Sequence, residues 1–150
     1  MGKMIAANRR ARRDFRLLES YEAGIVLQGT EVKSLRTGRA SLQDSFASID
    51  RGEVFLYNMH IPPYESGNRF NHDPKRTRKL LFHRSEIKRL IGKASARGLT
   101  LVPTRLYFKR GRAKVEIALA RGKREYDKRE DIKKREAQIE MRRALSPKRV

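Results

Sequence analysis

The chain has 150 residues, with 37 Lys and Arg against 17 Asp and Glu, a formal net charge of +20 and 36% charged residues. That length allows one compact domain plus an appendage. Self-repulsion at this charge makes a polyanionic partner the economical explanation, nucleic acid first and an anionic membrane second, because the basic segments lack the Trp/Phe/Leu face of an interfacial helix. Without Cys there are no disulfides, no thiol chemistry and no Cys-ligated zinc. No stretch approaches the ~18 apolar residues of a membrane span. No hydrophobic signal core follows the first cations, so a cytoplasmic protein with no membrane partner is expected.

Residues 1–13 are polar, basic and unpatterned, which predicts an arm rather than a core element. Apolar patterning from Phe15 through Leu27 predicts a long bent strand over 14–28, with Gly24 as the bulge or bend. Gly29–Gly38 reads as a short helix with Thr30 at its N-cap, Glu31 in its first turn, Val32 and Leu35 facing inward and Gly38 as its stop. Phe46–Ile49 and Val54–Met59 flank a turn at 50–53 and form a hairpin. Residues 62–79 are rich in turn formers and end in a cation run. Loops of this length usually carry function. Leu80–Phe82 is a short strand. Ser85 then starts a helix whose inner face is Ile87, Leu90, Ile91 and Ala94, ending at Gly98. Leu99–Lys109 and Ala113–Ala120 make a second hairpin. Val115, Ile117 and Leu119 alternate with Lys114, Glu116 and Ala118, as a half-buried strand should. Pro103 places an edge or a bulge in its strand. About six short antiparallel strands with Gly-containing turns favour a small barrel, of OB-like type, with two to three flanking helices.

The last thirty residues are different. Glu125 and Arg129, Glu130 and Lys134, and Asp131 and Arg135 are spaced acid-first for helical pairing. The apolar stripe of Tyr126, Ile132, Ile139, Met141 and Leu145 is too thin to dock on a protein core. A tail that orders only against a polyanion is expected.

Chemistry of catalytic type is not visible. His60, His72 and His83 lack metal-pair spacing, and Ser41, Asp44 and Ser45 read as turn and cap residues without a nucleophile elbow. His60 and His83 read as structural or surface residues, whereas His72, in a polar loop, could stack on a base or donate to phosphate. No metal, no cofactor and no enzymatic activity are expected. Arginine and lysine in the arm, in the 69–79 loop and in the 121–135 stretch suit phosphates and bases. Tyr64, Phe70 and Tyr126 offer stacking faces, and Tyr107 reads as a core residue.

Asn8-Arg9-Arg10-Ala11, Tyr21–Ile25, Gly29–Arg36, Asp44-Ser45-Phe46, Pro62–Glu65, Asn71-His72-Asp73-Pro74, Arg78–Leu81, Gly98–Pro103, Gly122-Lys123-Arg124 and Asp127-Lys128-Arg129 occur in this order. In this the chain resembles the SsrA-binding (small protein B) family, the partners of transfer-messenger RNA (tmRNA) in bacterial trans-translation. The resemblance covers nearly the whole chain. It implies an OB-like six-stranded barrel over 1–122 and a tail over 123–150 that is disordered when free and helical on the ribosome. It implies binding to the tRNA-like domain of tmRNA near its elbow and D-loop, with the protein standing in for the missing anticodon stem. The tail would enter the decoding centre and the vacant messenger channel of a stalled 70S ribosome, against 16S rRNA. Elongation factor Tu and alanyl-tRNA synthetase are further candidates, acting through the RNA, and a monomer is expected.

The RNA-binding residues expected on this reading are Asn8, Arg9, Arg10, Glu31, Lys33, Ser34, Arg36, Asn68, Arg69, Asn71, His72, Arg76, Arg78, Lys79, Ile91, Lys123 and Arg124. Three of these, Glu31, Ile91 and Arg124, stand at positions that bind RNA in the family. Glu31 would accept from exposed base N–H groups; from its place in a helical first turn alone, it would be a helix-dipole residue. The ribosome-binding residues would be Tyr126, Asp127, Lys128, Arg129, Lys133, Lys134 and Arg135. Ile91 is more often Leu in the family, Arg124 more often Lys, and Tyr126 stands where many members carry His.

Overall fold

The computed structural model describes residues 3–64, 71–94 and 98–122. Among them the chain forms β1 (Met4–Ala7), α1 (Arg9–Asp14), β2 (Phe15–Ile25), α2 (Gly29–Arg36), β3 (Phe46–Asp50), β4 (Glu53–Tyr57), β5 (Arg78–Leu81), α3 (Arg84–Ala94), β6 (Leu99–Lys109) and β7 (Arg112–Gly122). All pairings are antiparallel and run β6–β3–β4–β5–β2–β7, and β7 pairs back onto β6. The ring of six strands is thus closed, which removes free sheet edges. The barrel read from the alternating strands is the one observed, and β1 adds a seventh strand on β6.

That seventh strand corrects the reading of residues 1–13 as an arm. Met4, Ala6 and Ala7 pair with Tyr107, Leu106 and Arg105, and Ile5 and Ala6 pack against the core. The pattern is too short, at four residues, to register as periodic. β6 supplies the missing context, because it outruns β3 and leaves a length of backbone for β1 to cover.

The two hairpins are tight. Arg51 and Gly52, and likewise Arg110 and Gly111, have φ of 51° and 76°, and of 53° and 74°. Two successive positive φ values are what the type I′ turn requires between strands of right-handed twist. Pro103 sits beside the expected irregularity, a register shift between Pro103 and Arg105. In β2 the shift falls between Leu17 and Glu19 rather than at Gly24. Gly24 pairs with Leu81 of β5, where a Cβ would meet Leu81 Cβ at 3.4 Å, an ordinary contact.

Inward side chains fill the barrel: Ala23, Val54, Leu56, Leu80, Leu106, Val115 and Ile117 are all buried, with Leu35 of α2 and Leu90 of α3 closing over them. A second, smaller core explains why Ala118 and Ala120 are buried on the face where alternation predicts exposure. Ala11 of α1, with Phe15 and Leu17, covers them and Val102. Small side chains on β7 admit that close approach. In α3 Leu90 is buried and Ile87 packs against the core, as expected, whereas Ile91, expected inward, is 46% exposed. Tyr107, expected in the core, lies on the outer face and donates its hydroxyl proton to Glu22.

Candidate nucleic-acid interface

α2 begins two residues earlier than a Thr30 N-cap implies. Gln28, not Thr30, is its N-cap, and the Gln28 N–H donates to Glu31 Oε1 at 2.7 Å. Glu31 is therefore a reciprocal cap, turned back toward the helix start. Its side chain is fully buried. Arg76 Nη2 donates to Oε1 at 2.6 Å, and Arg78 Nε donates to Oε2. Arg78 is also fully buried, and its remaining donors reach the Met59 carbonyl at 2.6 Å and the Pro74 carbonyl at 3.2 Å. A buried guanidinium is tolerable only when paired and hydrogen-bonded in this way. Burial pushes the Glu31 carboxyl up, but Arg76, the Gln28 N–H and Arg78 together outweigh it and hold its pKa below the ordinary carboxylate value. Burial likewise pulls Arg78 down, and Glu31 opposes that shift.

Beside this pair, His72 is 5% exposed. Its Nε2 lies 2.8 Å from the Ile61 carbonyl and its Nδ1 lies 2.9 Å from Thr30 Oγ1. A carbonyl can only accept, which puts a proton on Nε2; in the neutral ring Nδ1 then accepts from the Thr30 hydroxyl. The Ser34 hydroxyl donates to the Pro62 carbonyl at 2.8 Å. Asn71 Oδ1 accepts from the Tyr64 N–H at 3.0 Å, joining the residues that bracket 65–70. α2 and the following polar loop are thus one hydrogen-bonded unit, with Lys33 Nζ 5.8 Å above the Tyr64 ring on its surface.

Asn8 plays the matching part at α1. Its Oδ1 accepts from the Ala11 N–H at 3.1 Å as an N-cap, and its Nδ2 donates to the Pro103 carbonyl at 2.9 Å. Arg9 and Arg10 follow it on an exposed surface.

The residues expected to touch RNA therefore divide. Asn8, Glu31, Ser34, His72 and Arg78 are buried and fix the shape of the surface; in this structure their polar atoms are occupied by protein partners. A base edge reaching the Glu31 carboxylate and a base stacked on His72 do not fit that burial. Arg9, Arg10, Lys33, Arg36 and Ile91 are exposed, and Arg76, Lys79 and Asn71 are half-buried. Lys79 also pairs with Glu53 at 3.0 Å. Asn68, Arg69, Phe70, Lys123, Arg124, Tyr126, Asp127, Lys128, Arg129, Lys133, Lys134 and Arg135 lie outside the described residues. Sequence reasoning missed Thr30 and Gln28 as partners in this unit. Nothing local signals the first, because Thr30 and His72 are 42 residues apart.

Among the described residues, a closed β-barrel with exposed Arg and Lys on two helices beside a hydrogen-bonded polar unit defines a nucleic-acid-binding architecture of the OB-like class. The family model described as "SmpB protein" matches residues 5–147. The chain is 62% identical over 144 residues to the SsrA-binding protein of Geobacillus thermodenitrificans (strain NG80-2), covering 96% of this chain and 93% of that one. It is 63% identical over 146 residues to the SsrA-binding protein of Desulforudis audaxviator (strain MP104C), covering 97% and 95%. A solved structure described as "tmRNA-SmpB: a journey to the center of the bacterial ribosome" superposes with a TM-score of 0.67 at 56% identity, covering 79% of this chain and 83% of that one. The chain belongs to the SmpB, or SsrA-binding, family.

Proposed function

We propose that this chain binds the tRNA-like domain of tmRNA (SsrA RNA) and accompanies it to stalled ribosomes for trans-translation. The observation that carries the reading is identity above 60% to SsrA-binding proteins over almost the whole chain. The barrel stands in for the absent anticodon stem. The basic tail over 123–150 enters the decoding centre and the empty messenger channel, and the nascent chain is then tagged and the ribosome released. Were residues 126–145 helical there, they would reach about 30 Å. Elongation factor Tu and alanyl-tRNA synthetase meet this protein through the RNA. The role is binding and delivery in the cytoplasm, without catalysis; among the described residues no helix is long and apolar enough to cross a membrane.

The physical basis is a division between a rigid frame and a charged rim. Glu31, Arg78, His72 and Asn8 hold backbone and side chains in place, and Arg9, Arg10, Lys33, Arg36 and Arg76 offer cations to phosphates. Arginine forks bind phosphate oxygens in pairs, and such contacts set register on the RNA.

Competition tests the reading. The full chain is bound to a labelled tRNA-like fragment of tmRNA at near-physiological salt and challenged with bulk tRNA. The fragment should resist displacement by a large excess of tRNA; displacement at equal concentration would mark a general RNA binder instead. Truncation after Tyr126 should leave affinity for the fragment intact and abolish tagging on stalled ribosomes. Equal loss of both would defeat the separation of barrel and tail.

A further inference from the structure

Phe46 opens β3 and stacks on Tyr57 of β4, with ring centroids 5.2 Å apart and planes inclined by 17°. The two residues face each other across the ladder. Ala47, Val54 and Leu56 are buried, so alternation puts both rings on the outside of the barrel. A cross-strand aromatic pair stabilises a sheet, yet Phe46 remains 41% exposed. Phe46 also lines a groove of about 380 Å³ whose other walls include Arg10, Phe15, Asp44 and Thr100. Arg10 Nη1 lies 3.8 Å from Asp44 Oδ1 at this groove, and Arg9 and Arg13 are exposed on the same helix.

A flat ring backed by a second ring, at the lip of a groove and next to an arginine helix, matches what one unpaired nucleotide needs. The base requires a π face, and its phosphate requires a cation within a few ångströms. A greasy protein partner would want a broader apolar field than a ring flanked by Arg10 and Asp44. The excess of cations on α1, with Asp14 and Asp44 as the neighbouring anions, favours a polyanion over an acidic or neutral peptide surface for occupancy of this groove.

We propose that Phe46, braced by Tyr57, stacks one unpaired nucleotide of the bound RNA while Arg10 takes a phosphate beside it. This rests on the RNA-binding reading given above. It adds to that reading a base contact on the β3–β4 face, next to α1.

The chain contains no Trp, so Phe46→Trp supplies a single reporter. Two probes are used with full-length protein: the tRNA-like fragment of tmRNA and a blunt RNA duplex lacking unpaired nucleotides. Trp emission should be quenched by the fragment and far less by the duplex. Phe46→Leu keeps apolar bulk without a ring and should raise Kd for the fragment about 5- to 150-fold, equivalent to about 1–3 kcal/mol for one stacked base. Its urea midpoint should stay near that of the wild type. Arg10→Gln should reduce the slope of log K against log salt by about one phosphate contact. Wild-type affinity in Phe46→Leu, together with unchanged Trp emission at saturating fragment, would overturn the stacking contact and leave the RNA-binding reading standing. Failure of the wild-type chain to bind the fragment would overturn both. Were Phe46→Leu to misfold, the quenching of Phe46→Trp decides alone, its absence refuting the proposal.

Discussion

Replacing Glu31 by Ala tests whether this carboxylate acts on RNA directly or through the frame. The substitution raises net charge by one, so a purely electrostatic view of RNA binding predicts equal or tighter binding. The structure predicts otherwise. Glu31 accepts from the Gln28 N–H, Arg76 and Arg78, and Arg78 has no exposed surface. Removing one partner of a buried pair leaves the other as an uncompensated charge, at a cost of about 3–5 kcal/mol. Against a total stability of about 5–15 kcal/mol, that is a large fraction. Urea unfolding followed by circular dichroism should show the midpoint falling steeply at pH 7. Arg78→Met in the Glu31→Ala background removes the stranded cation and should recover much of the loss, as replacing both members of a buried pair often does. Arg76 is 28% exposed at its side chain. Arg76→Gln should therefore lower affinity for the tRNA-like fragment while disturbing stability less. An unchanged urea midpoint in Glu31→Ala would refute the buried-pair argument. Full stability recovery in the double variant with RNA affinity still lost would return Glu31 to a direct base contact.

Two further outcomes follow from the same frame. The Glu31 pKa lies below its ordinary value of 4.5 in the folded chain, so the unfolded chain binds more protons in acid; the stabilisation is complete above that value and lost as pH falls through the folded pKa. Urea midpoints measured from pH 7 down to pH 3 should drop more steeply in the wild type than in Glu31→Gln, and parallel curves would refute this. Asn8→Ala removes the α1 cap and the tie to the Pro103 carbonyl, and should lower stability by about 1–2 kcal/mol by urea titration, with no loss expected if the cap were solvent-replaced.

The longer barrel strands are legible through their two-residue period, and each of the two hairpins carries a Gly where φ must be positive, whereas β1 is too short to show a period. β7 shows the limit of that signal. Its alternation predicts Ala118 exposed, but α1 lies over it, and nothing in the β7 pattern announces a helix arriving from the other end of the chain. β5 shows a second limit. Arg78 and Lys79 read as the end of a polar loop, since a cation at an inward strand position is expected only when its partner is known. The partner is Glu31, 47 residues earlier, and the pairing turns a loop end into a core position. For Glu31 the local pattern predicts a helix-dipole residue, and the family resemblance implies a base reader. Its place as a cap on Gln28 and as counter-ion to Arg78 is a tertiary fact that neither reading contained. For Ile91 the helical spacing predicts an inner residue, and the resemblance implies an RNA contact. Leu90 takes the inner place, which leaves Ile91 on the surface where the second role is sterically open.

The burial of five expected contact residues bears on how specificity arises. Exposed arginines and lysines bind any RNA, and salt weakens them together. Discrimination for one folded RNA needs the cations at fixed separations, and long flexible side chains do not fix themselves. Here the fixing is done from below. Arg76 is held by Glu31, whose position is set by Gln28 and Arg78, and the loop carrying Arg76 is tied to α2 through His72, Thr30 and Ser34. Loss of any buried member loosens the spacing of the exposed members without removing an exposed cation. Substitutions in the frame should consequently narrow the gap between the tRNA-like fragment and bulk tRNA while leaving the salt slope nearly unchanged. Substitutions in the rim should reduce the slope and keep the gap. The two classes of variant are separable in one titration series, and a frame variant that lowers the slope as much as Arg10→Gln would show that the buried residues touch phosphate after all.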